Sequence, residues 1–216
     1  MRETNNVTAQ DRLSHFLHGV RRVEPGITAS ALALGLECAL TASWKQAQKQ
    51  RLDVVWTGPL VSTISVRRSA AVLLELIQKA KCEIVMVSFA AFRIPDALRA
   101  LESSSQSGIS MHFILESGDD SQGRLRQDAS FAFRSLIGKP NVHFYTWPLS
   151  KRPPGALLHA KVVIVDGNTA LITSANLTEN AISTNLEIGI LIDGGDAPKR
   201  IHDHIKGLIA AGEFVS

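Results

Sequence analysis

The sequence predicts an α/β fold in which a mixed, largely parallel sheet is flanked by helices and preceded by a helical N-terminal extension. From residue 53 onward, short β-branched segments alternate with amphipathic segments at helical spacing, which is typical of βαβ units. Before residue 53 only helical patterns occur. A hydrophobic share of 45% with 20% charged residues is ordinary for a globular protein with a core. We therefore expect a helical extension at 1–52 and an α/β domain at 53–216.

The N-terminal extension is predicted to contain two helices, at 10–23 and 28–50. The apolar run 29–44 is interrupted by Glu37 and is shorter than the ~20 residues that a bilayer span needs. The N-terminus is polar and lacks the apolar centre of a secretory signal. These features predict a cytoplasmic protein without stable membrane association.

The α/β part is predicted to begin with a strand and to end with a helix. The expected strands are 53–59, 83–89, 109–116, 141–147, a strand that runs from His159 to residue 165, 170–173 and 186–192. The expected helices are 69–81, 95–104, 124–136 and 198–211.

Charge and cysteine content set broad limits on partners and compartment. The net charge is +3 and the isoelectric point is about 9.0, which permits a polyanionic partner without requiring one. Cys38 and Cys82 lie far apart in the sequence, so neither a zinc motif nor a disulfide framework is indicated. Two such thiols suit a reducing compartment.

The segment LHAKVVIVDGNTALITSAN, at 158–176, carries the polar residues of greatest interest. His159 and Lys161 stand at the start of a β-branched strand, and alternation places their side chains on one face about 7 Å apart. A buried strand has no structural need for an imidazole beside an ammonium. This pair therefore suggests a functional site.

The turn after this strand decides which residues face His159. Two-residue hairpin loops at 166–167 and at 167–168 are both favourable. The first loop places Ser174 opposite His159, and the second places Asn176 there. Either loop keeps Ser174 and Asn176 on the His159 face, because an even loop length preserves parity. Imidazole, ammonium, hydroxyl and amide together suit an anionic tetrahedral group such as phosphate.

The spacing of these residues resembles the fingerprint of the phospholipase D superfamily. That fingerprint reads His-x-Lys, four residues, Asp, and then Gly-Ser-x-Asn, with an acidic residue downstream. The matching positions are His159, Lys161, Asp166, Ser174, Asn176 and Glu187. One position departs from the pattern, because Thr173 stands where the family has glycine.

The resemblance implies a mechanism that needs neither metal nor other cofactor. His159 would attack phosphorus and form a phosphohistidine, while Lys161 and Asn176 hold the non-bridging oxygens and Ser174 assists. Glu187 would accept a hydrogen bond from the other ring nitrogen of His159. Asp166 has the opposite parity and is assigned a structural role in the turn.

A second histidine is required to protonate the leaving group, and the sequence contains a single His-x-Lys. A two-fold homodimer that shares one active site would supply it from the other subunit.

The chain further resembles the phospholipase-D-like component of bacterial DISARM anti-phage systems, through VVWTGP at 54–59, the helical extension and the single late motif. This resemblance implies a nuclease in defence, acting on DNA, with single-stranded DNA as one candidate form, alongside other defence-system subunits. Two alternatives stay open: a phospholipase acting on membrane lipids, and a catalytically silent nucleic-acid-binding subunit.

Other polar residues have weaker claims to a role in the site. The sequence predicts that His202 and His204 are solvated. It predicts that His112 and His143 are core or sheet-end residues, with a place near the site as the alternative, and that Glu116 is a strand-end acid, with a reach into the cleft as the alternative. Trp56 is expected to pack in the core, with base stacking as the alternative. Solvated loop charges, with phosphate contacts as the alternative, are expected at Arg67, Arg68, Lys151 and Arg152.

Overall fold

The structure is a computed structural model that describes residues 9–47, 50–92, 94–118, 120–121, 123 and 128–216. The chain divides into two compact units, 1–46 and 47–216. The division lies a few residues before the boundary expected at residue 52. No helix among the described residues is long and apolar enough to cross a bilayer.

Two helices form the N-terminal part, α1 (Ala9–Val23) and α2 (Ala29–Ala47). Basic side chains in the last turn of α1 complement the negative end of the helix dipole. The hydroxyl of Thr28 accepts the N–H of Ala31 at 3.2 Å, which satisfies one of the free donors at the start of α2. Both predicted helices are therefore present.

The second unit contains ten strands and four α-helices among its described residues. The strands are β1 (Arg51–Thr57), β2 (Arg67–Arg68), β3 (Glu83–Ser88), β4 (Ala91–Phe92), β5 (Ser110–Leu115), β6 (Val142–Tyr145), β7 (Val162–Val165), β8 (Thr169–Thr173), β9 (Leu177–Thr178) and β10 (Glu187–Asp193). The helices are α3 (Ser69–Lys79), α4 (Pro95–Gln106), α5 (Glu179–Ser183) and α6 (Ala197–Ala210).

The main sheet has eight strands in the order β2-β1-β10-β8-β7-β3-β5-β6. Strands β3, β5 and β6 are parallel, and β2 is parallel to β1. Strands β7, β8, β10 and β1 pair antiparallel, and β7 also pairs antiparallel with β3. The predicted α/β class with a mixed sheet is confirmed. The expectation that the sheet is largely parallel is wrong, because four of its seven strand pairings are antiparallel.

The two faces of this sheet bury separate apolar clusters. On β3, Ile84 and Met86 belong to the cluster beneath α3 and α4, and Val85 and Val87 belong to the cluster beneath α6. The centre of the sheet is covered on both faces, which explains why its strands read as continuous apolar runs rather than as alternating ones.

The helix predicted at 124–136 is wrong in its described part. Residues 124–127 lie outside the described residues, and a short 3₁₀ helix, Ala129–Phe133, follows. The Asp128 carboxylate accepts the N–H of Ser130 at 2.8 Å and starts this turn. Strands β2, β4 and β9 and helix α5 were not predicted, because segments of two to five residues carry no measurable periodicity.

The predicted hairpin register between β7 and β8 is also wrong. Asp166 and Gly167 both have positive φ, 53° and 62°, and the Asn168 N–H closes the turn on Val165 at 3.0 Å. Asn168 is an additional loop residue, so Val165 pairs with Thr169 and the loop has three residues. The odd loop length reverses the parity that a two-residue loop would have preserved.

Candidate active site

Five of the six predicted site residues lie at one edge of the main sheet, and Asp166 is the exception. His159 and Lys161 directly precede β7, and Ser174 directly follows β8. Glu187 is the first residue of β10. Because β8 is antiparallel to both of its neighbours, the start of β7, the end of β8 and the start of β10 meet at this edge.

Ser174 and Asn176 reach this edge in a way that the sequence did not predict. The Thr173 N–H donates to the Lys161 carbonyl at 3.1 Å, so Thr173 rather than Ser174 or Asn176 lies across from the His159–Lys161 segment. Ser174 lies in a bend beyond the strand, and its N–H donates to the Ile188 carbonyl at 2.9 Å. These residues therefore approach the site as the chain leaves the sheet, where strand parity no longer applies.

Lys161, Glu187 and Ser174 form the charged centre of the site. The Ser174 hydroxyl donates to the Glu187 carboxylate, which also accepts from the Asn185 amide at 3.2 Å. Lys161 is 8% exposed, and its side chain lines a small apolar cavity of about 20 Å³. Burial lowers the pKa of Lys161, and the nearby Glu187 charge acts in the opposite direction.

The Lys161 ammonium forms no ion pair with a carboxylate among the described residues. Its ammonium donates to the His159 carbonyl at 2.7 Å, a backbone contact that holds the two residues together. Ammonium groups have three donors. The remaining donors of Lys161 are suited to the oxygens of an anion.

His159 is exposed, and its ring lies 5.5 Å from the Phe89 ring. No hydrogen bond to the His159 imidazole occurs among the described residues. The predicted bond from its ring to Glu187 is not among these contacts, and Ser174 and Asn185 donate to that carboxylate instead. An exposed imidazole without a protein partner remains accessible to substrate.

Asn176 carries an unusual polar atom. Its side-chain oxygen is buried and has no hydrogen-bond partner among the described residues. A buried polar atom without a partner costs about 1–3 kcal/mol, so such atoms are rare and often mark a functional position. A hydrogen bond joins Ser174 to Glu187, and Lys161 is close enough to feel the Glu187 charge. His159 and Asn176 lie at the same edge.

The residue that departs from the fingerprint, Thr173, is accommodated by a glycine on the neighbouring strand. Thr173 pairs with Gly189 of β10, where an added Cβ would lie 2.9 Å from the Thr173 Cβ. The Thr173 hydroxyl donates to the Ile188 carbonyl at 3.2 Å and accepts the Ala175 N–H at 3.1 Å. Gly189 therefore provides the space that a threonine at this position requires.

Asp166 has structural contacts at the opposite end of β7. Its carboxylate accepts three backbone N–H groups, from Lys81, Cys82 and Glu83, at 2.9, 2.8 and 2.8 Å. These bonds fasten the hairpin turn to the start of β3. They place Asp166 outside the candidate site.

A buried ion pair beside the site was missed. Glu116 is 0% exposed, and its carboxylate forms two hydrogen bonds with the Arg152 guanidinium, at 2.9 and 2.7 Å. The prediction of a plain strand-end acid and a solvated arginine is wrong for both residues. The only sequence signal was an acid that closes a buried strand and an arginine in a proline-rich loop, and neither identifies its partner.

The prediction that His202 is solvated is wrong as well. Its ring is 19% exposed and contacts the carboxylates of Glu83 and Asp203. Glu83 also binds the Lys206 ammonium at 2.8 Å and lies 3.1 Å from the His112 ring. This network joins α6 to the starts of β3 and β5.

His112 is buried in that network, whereas His143 and His204 are exposed. Burial, together with the Lys206 charge, lowers the pKa of His112 to about 4. His143 stacks on the His112 ring at 5.1 Å.

Most of the basic side chains considered for phosphate contacts have other partners. Arg67 forms ion pairs with Asp53 and Glu75, and Lys151 donates to the Gly212 carbonyl. Arg68 is exposed, and no partner for it occurs among the described residues. Arg68 therefore remains a candidate for a phosphate contact.

Trp56 is half-buried rather than part of the core. Its indole N–H donates to the Pro59 carbonyl at 2.9 Å. Its ring lines an open apolar pocket with the exposed side chains of Leu60, Val61 and Ile64. Because Trp56 pairs with Ile188, alternation along the strands places the Trp56 ring on the opposite face of the sheet from the Glu187 side chain.

The arrangement as a whole fits phosphate chemistry. The described residues contain no group of three or more His, Cys, Asp or Glu placed to hold a metal ion. The edge instead offers an accessible imidazole, a partly desolvated ammonium and a hydroxyl–carboxylate pair. Such a set can bind an anionic tetrahedral group and attack it.

Comparison with known proteins agrees with this chemistry. The family model described as "Cardiolipin synthase, PLD-like domain" matches residues 73–209. The DISARM protein DrmC of Bacillus paralicheniformis is 31% identical over 152 residues, which cover 69% of this chain and 60% of that protein. Cardiolipin synthase A of Wigglesworthia glossinidia brevipalpis is 29% identical over 73% of this chain and 30% of that protein. The chain thus spans less than two thirds of the length of these curated relatives.

Solved structures share the fold. NucT from Helicobacter pylori superposes with a TM-score of 0.59 at 19% identity, over 75% of this chain and 97% of that one. Nuc from Salmonella typhimurium, described as a phospholipase D family member, gives a TM-score of 0.53 at 23% identity, over 74% and 93% of the two chains. At these identities the likeness concerns the fold of the 47–216 unit.

Proposed function

The chain belongs to the phospholipase D-like family, and on this premise we propose that it is a metal-independent phosphodiesterase that cleaves DNA in anti-phage defence. The observation that carries the proposal is the meeting of the family's motif residues at one sheet edge, with Lys161, Glu187 and Ser174 in one cluster. The accessible His159 and the unpartnered Asn176 oxygen at the same edge support it.

In the proposed reaction, a ring nitrogen of His159 attacks phosphorus. A P–N bond forms as the P–O bond to the leaving group breaks, which yields a phosphohistidine. Lys161 and the amide of Asn176 bind the non-bridging oxygens, where negative charge is greatest. Water then attacks the phosphohistidine, breaks the P–N bond and releases the phosphomonoester.

The leaving oxygen requires a proton, and we propose that it comes from His159 of a second subunit. A two-fold dimer brings equivalent residues together at its axis. The same histidine then accepts a proton from the attacking water. Mixed dimers test this arrangement, because one His159→Ala subunit should inactivate the shared site.

In that test, wild-type protein is unfolded and refolded with increasing amounts of His159→Ala protein. For a shared site, activity should fall as the square of the wild-type fraction. A linear decrease would show that each subunit acts alone. His204→Ala protein is the matched control and should not reduce activity.

The choice of DNA rests on the similarity to the DISARM protein DrmC. We propose that double-stranded or single-stranded DNA is the substrate and that other defence-system subunits are partners. End-labelled DNA and RNA oligonucleotides, in both strand states, should be incubated with the protein in EDTA. Acid-labile, base-stable labelling of the protein by ³²P would identify the phosphohistidine, and its absence in a trapped reaction would refute this mechanism.

A phospholipid substrate is the second candidate. The cardiolipin synthases among the relatives favour it. Turnover of anionic liposomes but not of oligonucleotides would select this candidate. DNA binding without turnover, unchanged by His159→Ala, would instead indicate a silent binding subunit.

A further inference from the structure

We propose that Glu116 is a positioning residue for His159, acting through the buried ion pair with Arg152 and through the backbone of Leu158. This inference rests on the proposed function, because it assigns Glu116 a part in placing the proposed nucleophile. Glu116 does not contact the reacting atoms. Its effect is on the segment that carries them.

The segment that needs positioning is the 148–158 loop. It connects β6 to β7 and contains only a short 3₁₀ helix, Leu149–Lys151. Residues 156–161 lie in neither helix nor strand. His159 therefore stands at the end of a long irregular segment, outside the hydrogen-bond ladder of the sheet.

Glu116 binds this loop at two points. Its Oε1 and Oε2 atoms accept from Arg152, at 2.7 and 2.9 Å, and Oε2 also accepts the Leu158 N–H at 3.0 Å. Leu158 is 5% exposed and immediately precedes His159. The fixed carboxylate thus anchors the backbone one residue before the proposed nucleophile.

Arg152 is held from its other side. Its Nε donates to the Trp147 carbonyl, and its guanidinium carbon lies 5.2 Å from the Trp147 ring centroid. A neighbouring acid holds the start of the loop, since Asp120 accepts the Leu149 N–H at 3.2 Å. The segment after β5 therefore fastens both ends of the 148–158 loop.

Stability alone does not account for this arrangement. Burying two charges is costly, and well-packed apolar residues of similar size often replace a buried ion pair without loss of stability. An apolar pair cannot accept the Leu158 N–H. The carboxylate provides a directional hydrogen-bond acceptor for the backbone N–H that immediately precedes His159, which an apolar core cannot provide.

Two double variants separate positioning from stability. Glu116→Leu/Arg152→Met removes both charges and the acceptor, whereas Glu116→Gln/Arg152→Met removes both charges and keeps an acceptor for Leu158. Neither leaves an unpaired buried charge, so both should fold. Displacement of a reacting group by about 1 Å can cost about 10²-fold in rate.

We expect the Glu116→Leu/Arg152→Met variant to have a kcat roughly 10- to 100-fold below that of the wild type, with little change in KM. The Glu116→Gln/Arg152→Met variant should have a kcat close to that of the wild type. Rates are expressed per active site, from the single-turnover burst on the labelled substrate used above. Hydrogen exchange at the Leu158 amide should be faster in the Leu/Met variant only. A purely structural role would change the folded fraction and the melting temperature, but not kcat per site.

The matched control is Glu83→Gln/Lys206→Met. It removes a partly exposed ion pair, with a 2.8 Å contact, at the far end of β3. Its kcat should equal that of the wild type.

The two possible failures differ. If the wild type is active and both Glu116 variants keep its kcat per site, the positioning role is refuted and the proposed function stands. If the wild type turns over neither oligonucleotides nor liposomes, the proposed function fails first and the positioning role falls with it.

Discussion

The two ends of strand β7 differ in how their polar groups are satisfied. At the turn end, the Asp166 carboxylate accepts three backbone N–H groups, and a Cβ added at Gly167 would lie 3.8 Å from the His202 ring. At the site end, the His159 imidazole has no hydrogen-bond partner among the described residues, and the Asn176 oxygen is buried without one.

The same four-residue strand thus joins a structural anchor to a candidate reaction site. Satisfied polar groups stabilise a fold, whereas accessible or unpartnered ones are usually retained because they act on something outside it. The contrast predicts that substitutions at the site end reduce activity more than stability. Substitutions at the turn end should do the opposite.

The largest effect is expected from His159→Ala. Loss of the proposed nucleophile should reduce kcat/KM by at least about 10⁴-fold. The melting temperature should not change, because His159 is exposed. Activity on the preferred substrate and a thermal melt, with His204→Ala as control, measure both quantities. Residual activity within tenfold of the wild type would contradict the assignment.

Lys161→Met is expected to have the next largest effect. Losing one preorganised charge should cost about 10²- to 10³-fold in kcat. Burial lowers the pKa of Lys161 from 10.5, so wild-type activity should fall as pH rises through that lowered pKa and the ammonium loses its proton.

Wild-type activity should fall with rising alkaline pH, but wild-type stability should rise over the same range, and Lys161→Met should not show that rise. Between the lowered pKa of folded Lys161 and 10.5, the unfolded chain binds more protons, so wild-type stability should rise with pH. Lys161→Met should lack this rise. Urea unfolding across alkaline pH measures it, and identical profiles would contradict a lowered pKa.

At the turn end, His112 should make stability depend on acid pH. Its pKa of about 4 when folded lies below the ordinary 6.5, so stability should fall as pH drops from 6.5 to 4, by up to about 3 kcal/mol. His112→Phe should flatten this part of the profile. His143→Phe should retain most of it, because the His143 charge is a smaller cause of the lowered His112 pKa than burial. The titratable groups facing His112 are Glu83, His143, His202 and Lys206, and Glu83→Gln should alter the midpoint.

Asp166→Ala tests the structural end more directly. Loss of an acceptor for three backbone N–H groups should lower the free energy of unfolding by about 2 kcal/mol. The kcat per folded molecule should not change, although Asp166 belongs to the motif. Asp166→Asn should cost less, since asparagine tolerates the positive φ of 53°. A large fall in kcat with unchanged stability would place Asp166 in the chemistry.

The smallest effect is expected from metal removal. If Lys161 and the imidazoles supply the charge that metals supply elsewhere, then activity in EDTA should equal activity in Mg²⁺. Initial rates in the two buffers provide the measurement. Recovery only after Mg²⁺ is added back would contradict the proposed chemistry.

Much of the fold could be predicted from the sequence because it depends on local patterns. The longer strands and helices carry clear two-residue or helical periodicity, and the His-x-Lys spacing before β7 identified the family from a few residues. The predicted elements and the α/β class followed from these patterns. Elements of two to five residues, such as β9 and α5, carried too little pattern to predict.

The rest depended on which distant segments meet. One additional loop residue, Asn168, reversed the hairpin parity, and sequence rules favoured the shorter loop. The Glu116–Arg152 pair joins residues 36 positions apart, and the Glu83–Lys206 pair joins residues 123 apart. Local periodicity carries no information on such pairings, because they arise only when the strands pack and exclude water from both charges.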